Sequence, residues 1–262
     1  MDLDLSGRHA LVCGASAGIG KAAAIELARL GADVTVLARR EPALRQVVAE
    51  LPVVRQGQVH DWRVGDDGQT QALADTVTTL AAERPVQILV NNGGGPPGGR
   101  AVDADLEAYL SAFRHHLLAN QTRVQAVLPG MRAAGWGRIV NVVSTSVYEP
   151  MHNLGVSNTV RSAVAGWAKT LSQELGPDNI TVNNVLPGFT HTARMDHIVQ
   201  DRMQASGQSA EQVIADLAAS VPLRRIGEPA DVAVAIAFFA SPAAGYISGM
   251  SLAVDGGRMH SI

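Results

Sequence analysis

The strongest constraint lies near the N-terminus. There a short apolar run, HALVC, passes through GASAGIG straight into a helical pattern, KAAAIELARLGA. Each glycine has a physical task in such a strand–turn–helix unit. Gly14 permits the tight turn out of the strand, Gly18 lets backbone approach a pyrophosphate, and Gly20 lets the helix pack on the sheet. The helix start then offers free N–H groups and the positive end of its dipole to phosphate. Ser16, Ala17 and Ile19 fill the gaps of the same phosphate-facing turn.

The rest of the chain repeats the alternation. Strands are expected at His9–Cys13, Asp33–Ala38, Val54–His60, Ile88–Asn91, Gly137–Val143, Ile180–Leu186 and Ser251–Val254. Helical spacing marks Ile19–Leu30, Asp105–Ala134, Asn158–Leu175 and Pro229–Phe239. The strand runs are continuously apolar rather than alternating, which suits strands buried on both faces of a parallel sheet. The expected fold is therefore α/β, a doubly wound parallel sheet of the Rossmann kind. It has three α/β/α layers and about seven strands in one domain over residues 1–262. The glycine- and proline-rich stretch Gly93–Arg100 follows a strand, where such sheets place ligand loops.

Composition excludes several other classes. With 47% hydrophobic and 17% charged residues the chain is too apolar for disorder. A net charge of -3 argues against nucleic acid as a partner, since phosphate binding needs a basic face. No run is long and apolar enough to predict a membrane span. The N-terminal stretch lacks a charged-then-apolar leader pattern, so a cytoplasmic location is expected. Cys13 is the single cysteine, and no His, Asp or Glu cluster has metal spacing, so no metal is expected.

The glycine spacing G-x-x-x-G-x-G resembles that of the short-chain dehydrogenase/reductase family, the 3-oxoacyl reductase kind in particular. Further matches follow in order. Asp61, with Trp62 beside it, falls where the family's adenine-contacting Asp follows the third strand. NNGG, from Asn91 through Gly93, resembles the family's Asn-Asn-Ala-Gly. RIVNVVS ends with Ser144 at the catalytic-serine position. NNVLPGFTHT supplies Pro187, Gly188, Thr190 and Thr192 in the segment that closes over nicotinamide. GEPADVA and SGMSLAVDGG resemble the C-terminal signatures. The resemblance implies a bound nicotinamide dinucleotide and a homo-oligomer, dimer or tetramer. At the end of the second strand stand Ala38, Arg39 and Arg40 rather than an acid. A carboxylate there would favour NAD; an arginine suits the 2′-phosphate of NADP(H), which is the expected cofactor.

The family's proton-transfer machinery is Asn-Ser-Tyr-Lys, and this chain departs from it. No tyrosine is followed four residues later by lysine. The pattern RSAVAGWAKTLSQEL fixes a register that puts Ser157 at the tyrosine position and Arg161 at the lysine position. QAVLPGM fixes a second register, with His116 at the asparagine position and Asn120 one turn later. A serine hydroxyl is far less acidic than a phenol. Arg161 keeps its charge and can grip ribose hydroxyls or an oxyanion, but cannot relay protons. His116 alone among the replacements has an ordinary pKa near neutrality.

Three functions stay open on these residues. One is an NADP(H)-dependent oxidoreductase acting on a carbonyl or alcohol, its proton supplied by His116, Tyr148, His152 or water. The second is a non-redox reaction such as cyclisation, isomerisation or dehydration. The third is a nucleotide-binding subunit without catalysis. Each residue also has a plainer role: Ser157 as a helix cap, Arg161 as an ion-pair partner, His116 as a packed helix residue. His191 lies in the segment expected to cover the nicotinamide, with exposure as its plainer role. A substrate lid is expected over about residues 190–224. Met195, Ile198, Val199, Val213, Ile214 and Leu217 would line it, predicting a small apolar or acyl-like substrate.

Overall fold

The computed structural model describes residues 1–261. Seven parallel strands form one sheet in the order β3-β2-β1-β4-β5-β6-β7. They are β1 (His9–Cys13), β2 (Asp33–Ala38), β3 (His60–Val64), β4 (Ile88–Asn91), β5 (Gly137–Val142), β6 (Ile180–Pro187) and β7 (Ser251–Val254). The helices are α1 (Gly18–Arg29), α2 (Glu41–Glu50), α3 (Thr70–Glu83), α4 (Leu106–Phe113), α5 (Ala119–Ala133), α6 (Gly155–Glu174), α7 (Ala193–Ser206), α8 (Ala210–Ala219) and α9 (Pro229–Ala240).

Because side chains alternate along a strand, one apolar run serves two cores. Ala10 and Val12 face the layer of α1 and α9, packing with Leu27, Val36 and Ile236. Leu11 and Cys13 face the other layer, packing with Leu73, Val77, Val127 and Val182. Cys13 is a free thiol whose pKa burial pushes up to about 11, so it is an inert core residue. Strand order reverses at β1, which pairs with β2 on one side and β4 on the other. The crevice at that switch point is where such sheets hold ligands.

Two elements differ from expectation. The third strand is His60–Val64, not Val54–His60. Val53, Val54 and Val59 are exposed, and β3 is a sheet edge of mixed polar and apolar residues, half-buried up to exposed Val64. The long helix expected over Asp105–Ala134 is α4 and α5 joined by a π-helical turn, Arg114–Leu118. One extra residue per turn widens the helix there, and His116 sits within that turn. Among the described residues, no helix is long and apolar enough to cross a membrane.

Candidate active site

The glycine turn has the geometry its task requires. Gly14 has φ +58, and a Cβ there would lie 2.6 Å from the Asn92 carbonyl oxygen. Gly20 packs so closely on Gly14 that no Cβ fits between them. Ala17, the residue before α1, is extended and gives the helix no side-chain cap, and no acid stands in the first turn. The first N–H groups of α1 are thus left for a ligand, and negative charge is favoured beside them. A Cβ on Gly18 would meet the Thr192 methyl at 3.2 Å, so Thr192 stands over the phosphate-facing turn. This bare, glycine-lined cradle fits a dinucleotide pyrophosphate.

One cleft joins the turn to the residues of the chemistry. Gly14, Ala17, Gly18, Ile19, Gly93, Ser144, Ser157, Arg161, Pro187, Gly188, Thr190 and Thr192 all line it. Ser144 ends β5's outgoing segment, and its hydroxyl accepts from the Ser146 N–H at 3.1 Å. Ser157 does not cap its helix, as Leu154 holds that position. It lies in the first turn of α6, 7% exposed and facing the cleft. Arg161 is one helical turn further along. Its Nη1 donates to the Val142 carbonyl at 3.0 Å, while Nε is buried with no partner. Burial pulls its pKa down to about 10, and the nearby Arg194 charge adds to that. It has no carboxylate within ion-pair distance among the described residues, so the ion-pair reading of Arg161 is set aside.

His116 is a correction. It lines a second cavity that shares Gly94 and Gly95 with this cleft, and a Cβ on Gly93 would lie 3.9 Å from its Nδ1. It is 6% exposed, and burial, with the charge of Arg161 next, drives its pKa to about 3. It is therefore neutral at physiological pH and not the near-neutral acid expected from its type. Tyr148 is 52% exposed and His152 is exposed, and neither lines the cleft. His191 is exposed and faces Glu228 at 3.8 Å.

The cofactor positions also divide. Asp61 and Trp62 lie inside β3 rather than beyond it, since the strand starts six residues later than expected. The Asp61 carboxylate is held by Arg63 at 2.5 Å, and Trp62 packs on the core under Arg45, 4.6 Å from its ring centre. The acids at this strand's exit are Asp66 and Asp67. Asp67 pairs with the buried Arg123 and approaches Gly93, where a Cβ would meet its carboxylate at 3.2 Å. Asn91 also points elsewhere. It begins a buried ladder in which Asn91 donates to Asn141 at 2.9 Å, Asn141 to Asn184 at 3.0 Å, and Asn184 to Ser251 at 3.0 Å. Its neighbour Asn92 lines the cleft instead and donates to the carbonyls of Cys13 and Gly14 at 3.3 and 3.2 Å. Ser16 and Gly20 support the turn without lining the cleft, and Arg39 and Arg40 are exposed just past β2.

The segment expected to be a lid folds as two helices, α7 and α8, and its expected lining is corrected. Met195 and Ile198 reach the cleft. Val199, Val213 and Leu217 are buried in the lid's own small core with Ile226, and Ile214 points outward at 36% exposure. Sequence reasoning missed Arg194 and Arg258, both of which line the cleft.

Sheet order and glycine cradle define a class, the doubly wound dinucleotide-binding proteins with their ligand cleft at the β1/β4 switch. Comparison with known proteins narrows it. A family model described as enoyl-(acyl carrier protein) reductase matches residues 14–259. The 3-oxoacyl-(acyl-carrier-protein) reductase FabG of Vibrio cholerae is 35% identical over 257 residues, spanning 97% of this chain and 98% of that protein. The NADPH-dependent reductase BacG of Bacillus subtilis is 28% identical over 259 residues, spanning 98% and 100%. Among solved structures, the L-sorbose reductase of Gluconobacter frateurii complexed with NADPH and L-sorbose superposes with a TM-score of 0.92 at 26% identity, covering 100% of both chains. The chain belongs to the short-chain dehydrogenase/reductase family.

Proposed function

We propose that the chain is an NADP(H)-dependent oxidoreductase acting on a carbonyl or alcohol of a small or acyl-like substrate, with a non-standard active site. One observation carries this reading: Ser144, Ser157 and Arg161 line the same cleft as the glycine turn. The names of the relatives support the cofactor, as BacG is called NADPH-dependent and the sorbose reductase was solved with NADPH. Arg39 and Arg40, exposed at the exit of β2, where Ala38 rather than an acid ends the strand, suit a 2′-phosphate.

When bound, the cofactor supplies or accepts a hydride at the nicotinamide end of the cleft. Thr190 and Thr192, Pro187 and Gly188 form the wall on that side. The hydroxyls of Ser144 and Ser157 donate to the substrate oxygen. Arg161, anchored on the Val142 carbonyl, stabilises the negative charge that develops on that oxygen. Neither serine is acidic enough to surrender its proton outright. With His116 neutral beside the cleft, the proton comes from water. The exposed apolar residues Leu106 and Leu110 on α4 favour a homo-oligomer.

The test is turnover with NADPH across ketones, aldehydes and acyl thioesters, followed by loss of reduced-nicotinamide absorbance. Oxidation is expected with at least one substrate class, falling about 10²–10³-fold in kcat/KM in Arg161→Ala. Substrate converted while NADPH stays reduced would point to the non-redox reading instead. NADPH binding with no conversion at all would leave a nucleotide-binding subunit.

A further inference from the structure

The cleft carries an unusual charge pattern. Three arginines line it, Arg161, Arg194 and Arg258, and no aspartate or glutamate does. None of the three forms a salt bridge among the described residues. Elsewhere Arg123 pairs with Asp67 and Arg55 with Asp33 at 2.5 Å, while buried Arg138, which lines no cleft with other arginines, is held by backbone carbonyls and the Trp136 ring. Burying a cation without a partner is costly, so uncompensated guanidiniums grouped in a cleft call for an anion from outside the chain.

The three are not scattered. Arg161 and Arg194 converge on Gly95, where a Cβ would stand 3.6 Å from Arg161 Nη2 and 3.7 Å from Arg194 Cζ. Arg258 is fixed by Thr145, the residue after Ser144: Nη2 donates to the Thr145 hydroxyl oxygen at 3.0 Å. The guanidinium also stacks over Phe189, 4.8 Å from the ring centre, and its Nε is buried with no partner. Nη2 also contacts Met151 Sδ at 3.7 Å, so stacking and Nη2 contacts hold the guanidinium while its other donors stay in a rigid fork, the geometry that grips a carboxylate. The phosphate cradle at Gly18 and Thr192 does not account for Arg258, which is tied beside Ser144. Between the arginines the cleft is apolar, lined by Met151, Leu154, Met195 and Ile198.

We propose that the substrate is a carboxylic acid with an apolar body, its carboxylate bound by Arg258 and Arg194 while its reacting oxygen lies at Ser144, Ser157 and Arg161. This deepens the oxidoreductase reading and rests on it for the reaction, but not for the binding. It also separates this chain from relatives named for 3-oxoacyl-carrier substrates, whose acyl carboxyl is tied to the carrier and bears no charge.

The binding can be measured apart from turnover. The NADPH-loaded protein is titrated calorimetrically with phenylbutanoate and with its uncharged isostere phenylbutanamide. The acid is expected to bind roughly tenfold or more tightly than the amide, an advantage that shrinks with added salt. Arg258→Gln and Arg194→Gln each remove most of that advantage, leaving amide binding and NADPH affinity within about twofold of the parent. Equal binding of acid and amide overturns the proposal. So does an acid preference that survives in the Arg194→Gln, Arg258→Gln double variant, and so does loss of NADPH affinity in both single variants, which would assign the arginines to the cofactor. Selective acid binding without reduction of any carbonyl compound would remove the reductase reading and leave this one standing. Reduction of uncharged ketones and oxo acids with equal kcat/KM would do the reverse.

Discussion

At the scale of single residues, the proposed chemistry rests on Arg161 in place of a lysine and Ser157 in place of a phenol. Both replacements were legible from flanking residues, because RSAVAGWAKTLSQEL fixes the helix register without ambiguity. What they face was not legible. His116 shows why: residue type gives a pKa near neutrality, but the fold buries it and sets Arg161 nearby, which drives it to about 3. His116→Ala is therefore expected to leave the pH dependence of kcat/KM unchanged between about pH 5 and 8. A limb in that profile that vanishes in the variant would restore the histidine as a proton donor. Cofactor choice is argued at the same scale. Arg39→Asp should weaken NADPH about tenfold or more relative to NADH, through lost charge-assisted hydrogen bonds and added repulsion. Parallel fluorescence titrations with the two cofactors check the ratio. Arg194 and Arg258 were missed because neither belongs to a motif, and only folding brings them into one cleft.

Among the elements, the strand–turn–helix start was read fully because its requirements are local. Gly14 must adopt a positive φ and Gly20 must admit the strand end, and both demands show in sequence as glycine. Gly14→Ala should destabilise the protein by about 1–3 kcal/mol, since it combines a left-handed backbone with a collision against Asn92. Denaturant unfolding measures that cost, and NADPH affinity should fall with it. A variant of parental stability and affinity would refute the cradle. β3 was misplaced for a physical reason. The apolar residues Val53, Val54 and Val59 lie exposed in the connection, while HDWRV, on the sheet edge, needs no continuous apolar run. Asp61 and Trp62 were misassigned as a direct consequence. In the lid, the helical spacing was legible but the direction of its apolar face was not. Val199, Val213 and Leu217 pack on one another, so of the expected lining only Met195 and Ile198 reach the cleft.

Across the whole molecule, stability is coupled to pH through buried histidines. His9 bridges the foot of the sheet: its Nδ1 faces the Arg84 and Pro85 carbonyls, each at 3.2 Å, and its Nε2 faces Thr35 Oγ1 at 2.8 Å. Burial lowers its pKa from 6.5 to about 4, with the Arg84 charge next in effect. Below 6.5 the unfolded chain takes up a proton that the native state refuses, so the native advantage is complete above 6.5 and is lost as pH falls toward 4. The loss reaches about 2 kcal/mol for His9 near pH ~5. Thermal melts should show a falling Tm over that range, less steep in His9→Gln; parallel slopes in the two proteins would contradict the linkage. Assembly belongs to this scale too. Leu106 and Leu110 are 81% and 57% exposed on α4, so sedimentation should find an oligomer that Leu110→Arg weakens. The whole account depends on a dinucleotide seated at the start of α1. Calorimetric titration with NADPH and NADH tests this most directly. One saturable site per chain, tighter for NADPH than for NADH, is the predicted result. Absence of saturable binding for both, in a protein that melts cooperatively, would contradict it.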